Sequence, residues 1–438
     1  MIVLKNGRFI NPATNTDKIT DVVIERNRIQ LIAPNVDFIQ VKQFDATGMI
    51  IAPGLIDTHA HFRTPGYTNK EDIKTGSRAA AKGGYTSVVL MANTDPPVDN
   101  VDTLRFVLEE CKRSSINLYS CATATVKMAG KEVVDMAQLA RAGAVGFTDD
   151  GVTITDVDVL KQAIKEAWKA ERPISLHEEN PYYVRNAGIN RGYASETLKC
   201  RGACRKAEIS MIKRDVDIAQ RTGAKVVIQH VSTKEGVQLI REAKEYNPLL
   251  YAEATPHHFS LTEETLITKG VNAKVNPPLR TEEDRLAIIE GLQNGALDII
   301  ATDHAPHTAA DKNDKITLAP SGMIGLETAL SLAIRELVNP GYLTYLQLFK
   351  KMCVNPAELY GLQAGNAVEN KFADLVIFHP DETWKVDGFL SKSQNSPFFG
   401  ETLPGVVYCT ICKGEVVYWK EGADDKIIRK EPTRTYIY

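Results

Sequence analysis

The segment Asp57-Thr58-His59-Ala60-His61-Phe62-Arg63 follows the apolar run Ile50 to Ile56 and combines two imidazoles with a guanidinium. Side chains alternate with period 2 along a strand, so His59 and His61 project to one side. Both can therefore reach one cation, and imidazole is a good ligand for zinc and its neighbours. Arg63, two residues further on, offers a planar fork of donors that could hold an anionic substrate beside such a metal.

Other metal-ligating types recur at similar places. His177 closes Pro173-Ile174-Ser175-Leu176, His230 closes Val226-Val227-Ile228-Gln229, and Asp303 closes Ile299-Ile300-Ala301-Thr302. Asp149-Asp150 follow Val145-Gly146-Phe147. Four histidines and two acidic positions exceed the four ligands of one tetrahedral zinc. The surplus suits a two-metal site in which a carboxylate bridges and a shared water is activated near neutral pH. A carboxylate outside the full bridging role could carry a proton from the attacking water to a leaving amine. That chemistry is hydrolysis of an amide-like bond.

Something must bring these segment ends together. Apolar, β-branched runs at 54–60, 86–92, 116–124, 144–148, 173–177, 225–230, 249–254 and 297–302 predict strands. Helical spacing with good helix formers predicts helices at 70–82, 102–114, 131–141, 156–171, 206–222, 234–245 and 282–294, with a further one at 326–338. Eight strands each leading into a helix imply an α/β fold, a parallel sheet closed as a (β/α)8 TIM barrel over residues 53–364. In such a barrel, functional residues gather where strands end, which is where each candidate falls. An open doubly wound sheet is the alternative, but no Gly-x-Gly-x-x-Gly follows any of these strands.

The two ends alternate short apolar and polar stretches, as in Asp21–Ile29 and Ala373–Phe378. Such hairpins, solvated on one face, predict a small β-sandwich domain composed of residues 1–52 and 365–438. With 438 residues, 43% hydrophobic and 24% charged, the chain has the composition of an ordinary soluble protein. A net charge of −3 gives no footprint for nucleic acid, and no apolar run approaches the roughly 20 residues needed to span a membrane. The first residues are too soon interrupted for a signal peptide, and seven sparse cysteines suit a reducing cytoplasm. Cys409-Thr-Ile-Cys412 reads as strand, where i and i+3 face opposite ways and cannot share a metal.

The residues also carry a family resemblance. His59-Ala60-His61-Phe62-Arg63-Thr64-Pro65-Gly66 resembles the opening motif of dihydroorotases in the cyclic amidohydrolase superfamily. Asp303-His304-Ala305-Pro306-His307 resembles their closing motif, Gly325-Leu326-Glu327-Thr328-Ala329 the helix after it, and Ser391–Phe398 their C-terminal tail. The resemblance implies interconversion of dihydroorotate and N-carbamoyl-L-aspartate, the third step of pyrimidine synthesis, with zinc, two ions per subunit. It implies that His59, His61 and Asp303 hold one metal and His177 and His230 the other, with Asp303 also the proton shuttle. Many relatives bridge the metals with a carboxylated lysine after strand 4, but this chain has no lysine between Lys131 and Lys161. Asp150 looks like the aspartate that replaces it in one branch; Asp149 would face the other way. Arg63, Asn93, Asn276 and His307 resemble the substrate-binding set, although both asparagines sit in turn-forming sequence beside prolines. His257-His258 reads as lying behind or beside an already full ligand set.

Thr64 departs from the acidic residue many relatives carry there, and Thr308–Pro320 departs from the expected loop; its polar composition suits a mobile lid. Allantoinase and dihydropyrimidinase or hydantoinase share the bond type, but usually carry the bridging lysine and lack the arginine. A non-catalytic dihydroorotase-like partner of aspartate carbamoyltransferase typically loses ligand histidines, all of which stand here. The resemblance leaves open a homodimer and an association with aspartate carbamoyltransferase.

Overall fold

The computed structural model describes residues 1–38, 41–422 and 427–428; the rest of the expected terminal segment up to 438 lies outside the described residues. The barrel strands are Leu55–Ala60 (β1), Tyr85–Leu90 (β2), Asn117–Ser120 (β3), Phe147–Thr148 (β4), Ile174–Leu176 (β5), Val226–Ile228 (β6), Leu250–Ala254 (β7) and Ile299–Ile300 (β8). β1 to β3 form one parallel ladder and β4 to β8 another. Parallel bridges from Ala122 to Phe147 and from Ala60 to His304 join the two ladders at both seams, closing the barrel.

The helices between strands fall close to the periodic segments, with shorter ends set by caps. The first spans Ile73–Lys82 because Asp72 accepts from Thr75 N at 2.9 Å and fixes the start there. The third spans Met136–Ala142, later than its expected onset, since Asp135 caps Gln138 N at 2.9 Å. The sequence did not foretell the excursion between β5 and helix Lys206–Ala219, with short turns at Pro181–Tyr183 and Tyr193–Thr197.

Strand alternation decides what faces inward. Val226 and Ile228 of β6 join the core under the helices, while Val227 points into the barrel with Ile56, Val89, Met91, Cys121, Ile299 and Ala301. Helix Asn355–Tyr360 closes the end of the barrel where strands begin: Lys225, one residue before β6, donates to the carbonyls of Glu358 and Leu359 at 3.3 Å each. Tyr360 Oη meets Ser175 Oγ of β5 at 3.0 Å. That end is filled, so the opposite rim is left for a site.

Strands from both termini form one nine-stranded sheet. Ile2–Asn11 branches it, pairing with Lys42–Asp45 through its first half and with Ile50–Pro53 through its second. Leu375–Lys385 adds onto Ile50–Pro53, and Thr402–Cys412 adds onto that. The two-residue turn Lys413-Gly414, with φ of 49° and 79°, has the geometry that favours tight hairpins. Leu4, Phe9, Val22, Phe44, Leu375, Ile377 and Ile411 form a core of its own. Cys409 joins this core and Cys412 the barrel-side one, so the two thiols do face apart. Ile50–Pro53 runs straight into β1 through Gly54, where any side chain would collide with Thr86 at 2.2 Å. No helix among the described residues is long and apolar enough to cross a membrane.

Candidate active site

The rim at the strand ends gathers every predicted ligand. A register irregularity in β1 between Asp57 and Ala60 shifts the strand's phase: Ile56 points into the barrel, Ala60 outward, and His59 and His61 inward again. Simple alternation along β4 puts Thr148 and Asp150 on the inner side and Asp149 on the outer. The Asp149 carboxylate accepts from Ala124 N at 2.8 Å and Thr125 N at 3.0 Å, tying β4 to the β3 loop. His230 and Asp303 reach the rim through left-handed backbone, φ 31° and 47°, and Arg63 does so at φ 57°. Strained backbone of this kind persists where surrounding structure over-determines it.

Asp150 sits between two groups of donors, His59 with His61 and His177 with His230. Its Oδ1 lies 3.2 Å from His59 Nε2, 3.7 Å from His230 Nε2 and 3.9 Å from His177 Nδ1, and its Oδ2 lies 3.4 Å from His61 Nε2. Asp303 Oδ1 stands 3.0 Å from His61 Nε2 and 3.6 Å from His59 Nε2. His177 Nδ1 and His230 Nε2 are 3.0 Å apart. Zinc–nitrogen bonds of about 2.0–2.1 Å at tetrahedral angles put donor atoms roughly 3.3 Å apart, so the set fits divalent metal. His59 Nε2 is buried with no hydrogen bond among the described residues, as a nitrogen reserved for a metal would be. Burial opposes charge on His59, but Asp150, Glu253 and Asp303 outweigh it and raise its pKa well above the usual value. Against the same burial, His59, His230 and His61 hold Asp150 well below the carboxylate range.

Two residues that sequence reasoning missed, or read differently, orient the imidazoles. Glu253, an acid within the apolar strand β7, accepts from Thr58 Oγ1 at 2.9 Å and faces His59 Nδ1 at 3.1 Å. Asn93, expected at the substrate, places Oδ1 2.8 Å from His61 Nδ1 and donates Nδ2 to Asp150 Oδ2 at 3.1 Å. Both leave Nε2 free for a metal. Asn276 donates to Glu179 Oε2 at 2.6 Å, and its Oδ1 takes no hydrogen bond among the described residues. His258 is held by Thr255 Oγ1 at 2.7 Å and the Pro277 carbonyl at 3.0 Å. His257 is buried beside it with its pKa pushed down to about 4 by burial.

Next to the carboxylates and imidazoles lies a positive wall. Arg63 Nε donates to the Pro306 carbonyl at 3.3 Å, while neither terminal nitrogen has a protein acceptor among the described residues. Burial lowers its pKa against the pull of Asp303 and Asp150. His307 Nε2 faces the Ser321 carbonyl at 2.9 Å. Burial, then Arg63, Lys312 and Lys70, push its pKa down to about 3, so it is neutral near pH 7. The expected lid is anchored here: Lys312 Nζ donates to the carbonyls of Val271 at 3.1 Å and Pro320 at 2.8 Å. The tail motif acts as a strap across the same wall. Asn395 accepts from His307 N and donates to Ala305 and Gly322 carbonyls, each at 3.1 Å, while Ser393 Oγ donates to the Lys70 carbonyl at 2.7 Å.

A barrel whose strand-end rim carries four histidines and two aspartates, with a guanidinium beside them that has no ion-pair partner among the described residues, defines a metal-dependent hydrolase site. The amidohydrolase family model matches residues 50–417. Dihydroorotase of Clostridioides difficile (strain 630) is 48% identical over 419 residues, covering 95% of this chain and 100% of that protein. Dihydroorotase of Streptococcus pyogenes serotype M3 is 49% identical over 420 residues, with 95% and 100% covered. The L-hydantoinase (dihydropyrimidinase) structure from Arthrobacter aurescens superposes with a TM-score of 0.85 at 25% identity, covering 96% of each chain. The chain belongs to the amidohydrolase family and, within it, to the dihydroorotases.

Proposed function

We propose that this protein is a dihydroorotase, interconverting dihydroorotate and N-carbamoyl-L-aspartate in pyrimidine biosynthesis. The observation that carries the reading is Arg63, whose terminal nitrogens lack acceptors among the described residues and which stands within the field of Asp303 and Asp150. A cation so placed suits a substrate whose ring carries a carboxylate as well as the scissile amide. The identity to curated dihydroorotases over nearly the whole chain supports the same reading.

His59, His61 and Asp303 would hold one zinc ion and His177 and His230 a second, with Asp150 between them. When bound, such ions polarise the amide carbonyl and make water nucleophilic near neutral pH. Arg63 binds the substrate carboxylate and thereby sets the ring's orientation, the entropic part of the task. Asp303 Oδ2 takes no hydrogen bond among the described residues. It receives the proton of the attacking water and delivers it to the ring nitrogen as the carbon–nitrogen bond breaks; in cyclisation it runs the same path backwards. Asn93 and Glu253 hold the His61 and His59 rings in place throughout.

Hydantoinases share the fold at lower identity, and dihydrouracil or hydantoin would present no carboxylate to Arg63. Zinc-reconstituted protein assayed in parallel with dihydroorotate, dihydrouracil, hydantoin and allantoin tests the reading. Turnover of dihydroorotate well above the other three is expected; preference for a ring without the carboxylate would overturn it.

A further inference from the structure

Lys70 belongs to the loop after the opening motif, yet its ammonium points at the closing motif. Nζ lies 3.5 Å from His307 Nδ1 and 3.4 Å from Asp311 Oδ2. The Ser321 carbonyl can only accept, so the proton of neutral His307 sits on Nε2 and Nδ1 presents a bare lone pair. Among the described residues, the donor that meets this lone pair is Lys70. The scaffold fixes where the lysine stands: its N–H donates to the Tyr67 carbonyl at 2.9 Å, and its own carbonyl accepts from Ser393 Oγ at 2.7 Å. Asp311, in turn, accepts from Thr308 N at 2.9 Å and Thr308 Oγ1 at 2.8 Å, and so shapes the loop that follows His307.

We propose that Lys70 is a positioning residue for carboxylate recognition, holding His307 and the Thr308–Asp311 turn as the wall that receives the substrate's anionic group beside Arg63. The proposal rests on the dihydroorotase reading. Among the described residues Lys70 makes no hydrogen bond or ion pair with the metal-ligand set, so its removal acts on binding and leaves the chemical step intact. With the ammonium gone, the His307 lone pair has no donor and the turn loses its tie to the opening motif.

The test uses zinc-loaded full-length protein, with Lys70→Gln, Lys70→Arg and Asp311→Asn compared with wild type. The readouts are kcat and KM for dihydroorotate and the calorimetric Kd of orotate, a planar carboxylate that is not hydrolysed. Lys70→Gln is expected to raise KM and the orotate Kd about tenfold, with kcat within about threefold, and Lys70→Arg to restore most of the loss. Asp311→Asn, which keeps the cap on Thr308, is expected to raise KM severalfold, and it decides the matter if Lys70→Gln does not fold. Unchanged KM and Kd, or a fall in kcat at constant KM, would overturn the proposal. Wild-type protein that binds orotate but does not turn over dihydroorotate would count against the functional reading; loss of orotate affinity in Lys70→Gln would still uphold the role of Lys70.

Discussion

Glu253 crosses the barrel from β7 to stand 3.1 Å from Nδ1 of His59, whose Nε2 then faces Asp150 at 3.2 Å. One carboxylate thus fixes which imidazole nitrogen is available, and it does so from a strand that supplies no ligand itself. The buried Glu253 also binds Thr58, so the two strands are locked at the depth of the metal ligands.

Glu253→Gln keeps the shape and removes the charge. Partners of this kind typically contribute 10- to 100-fold in metal affinity, so zinc should bind about tenfold or more weakly in the variant. Competition against a chromophoric chelator measures this, and equal affinities would remove Glu253 from the account.

Metal content gives a second check. Because Asp150 stands between two donor groups, protein saturated with zinc and then desalted should retain two ions per chain, and Asp150→Ala should lose at least one. Full activity with never more than one tightly held ion would reassign Asp150.

Asp303→Asn removes a ligand charge and the proton carrier together. Turnover in both directions should fall about 10²-fold or more. Near wild-type rates with bound metal would take Asp303 out of the proton path.

His307 should leave a trace in acid stability. Its folded pKa, about 3, lies below the usual histidine value of about 6.5, so the unfolded chain binds a proton that the folded chain refuses. The stability is present above pH 6.5 and lost as pH falls toward 3. Relative to His307→Gln, wild type should lose up to about 1.4 kcal/mol per pH unit across that window. Denaturant titrations at a series of pH values measure the difference, and parallel curves for the two proteins would contradict it.

Much of this site is legible in the sequence because period 2 and the ends of barrel strands are strong constraints. They suffice to separate Asp150 from Asp149 on β4. They fail where backbone breaks the period: the phase shift in β1 and the left-handed φ of His230 and Asp303 come from tertiary packing, with no local signature. The place of Asn93 after β2 suits the expected substrate contact; only the fold also brings Asp150 and His61 within its reach. Glu253 carried a readable signal, an acid in an otherwise apolar strand. Lys70 carries none, since its partner His307 is 237 positions away; Asn395 lies in the readable tail motif, but its partner His307, 88 positions away, is visible only in the fold.

The most direct test of the central claim compares kcat/KM for dihydroorotate and dihydrouracil in wild type and in Arg63→Met, with zinc content measured alongside. The two rings differ by the carboxylate that Arg63 is assigned to hold. A site built around that pair rejects a ligand that leaves the guanidinium without its partner, by several kcal/mol, and each 1.4 kcal/mol is about tenfold. Wild type should strongly prefer dihydroorotate, and Arg63→Met should nearly abolish that turnover while keeping its metal. Wild-type preference for dihydrouracil, or loss of metal from Arg63→Met, would contradict the account.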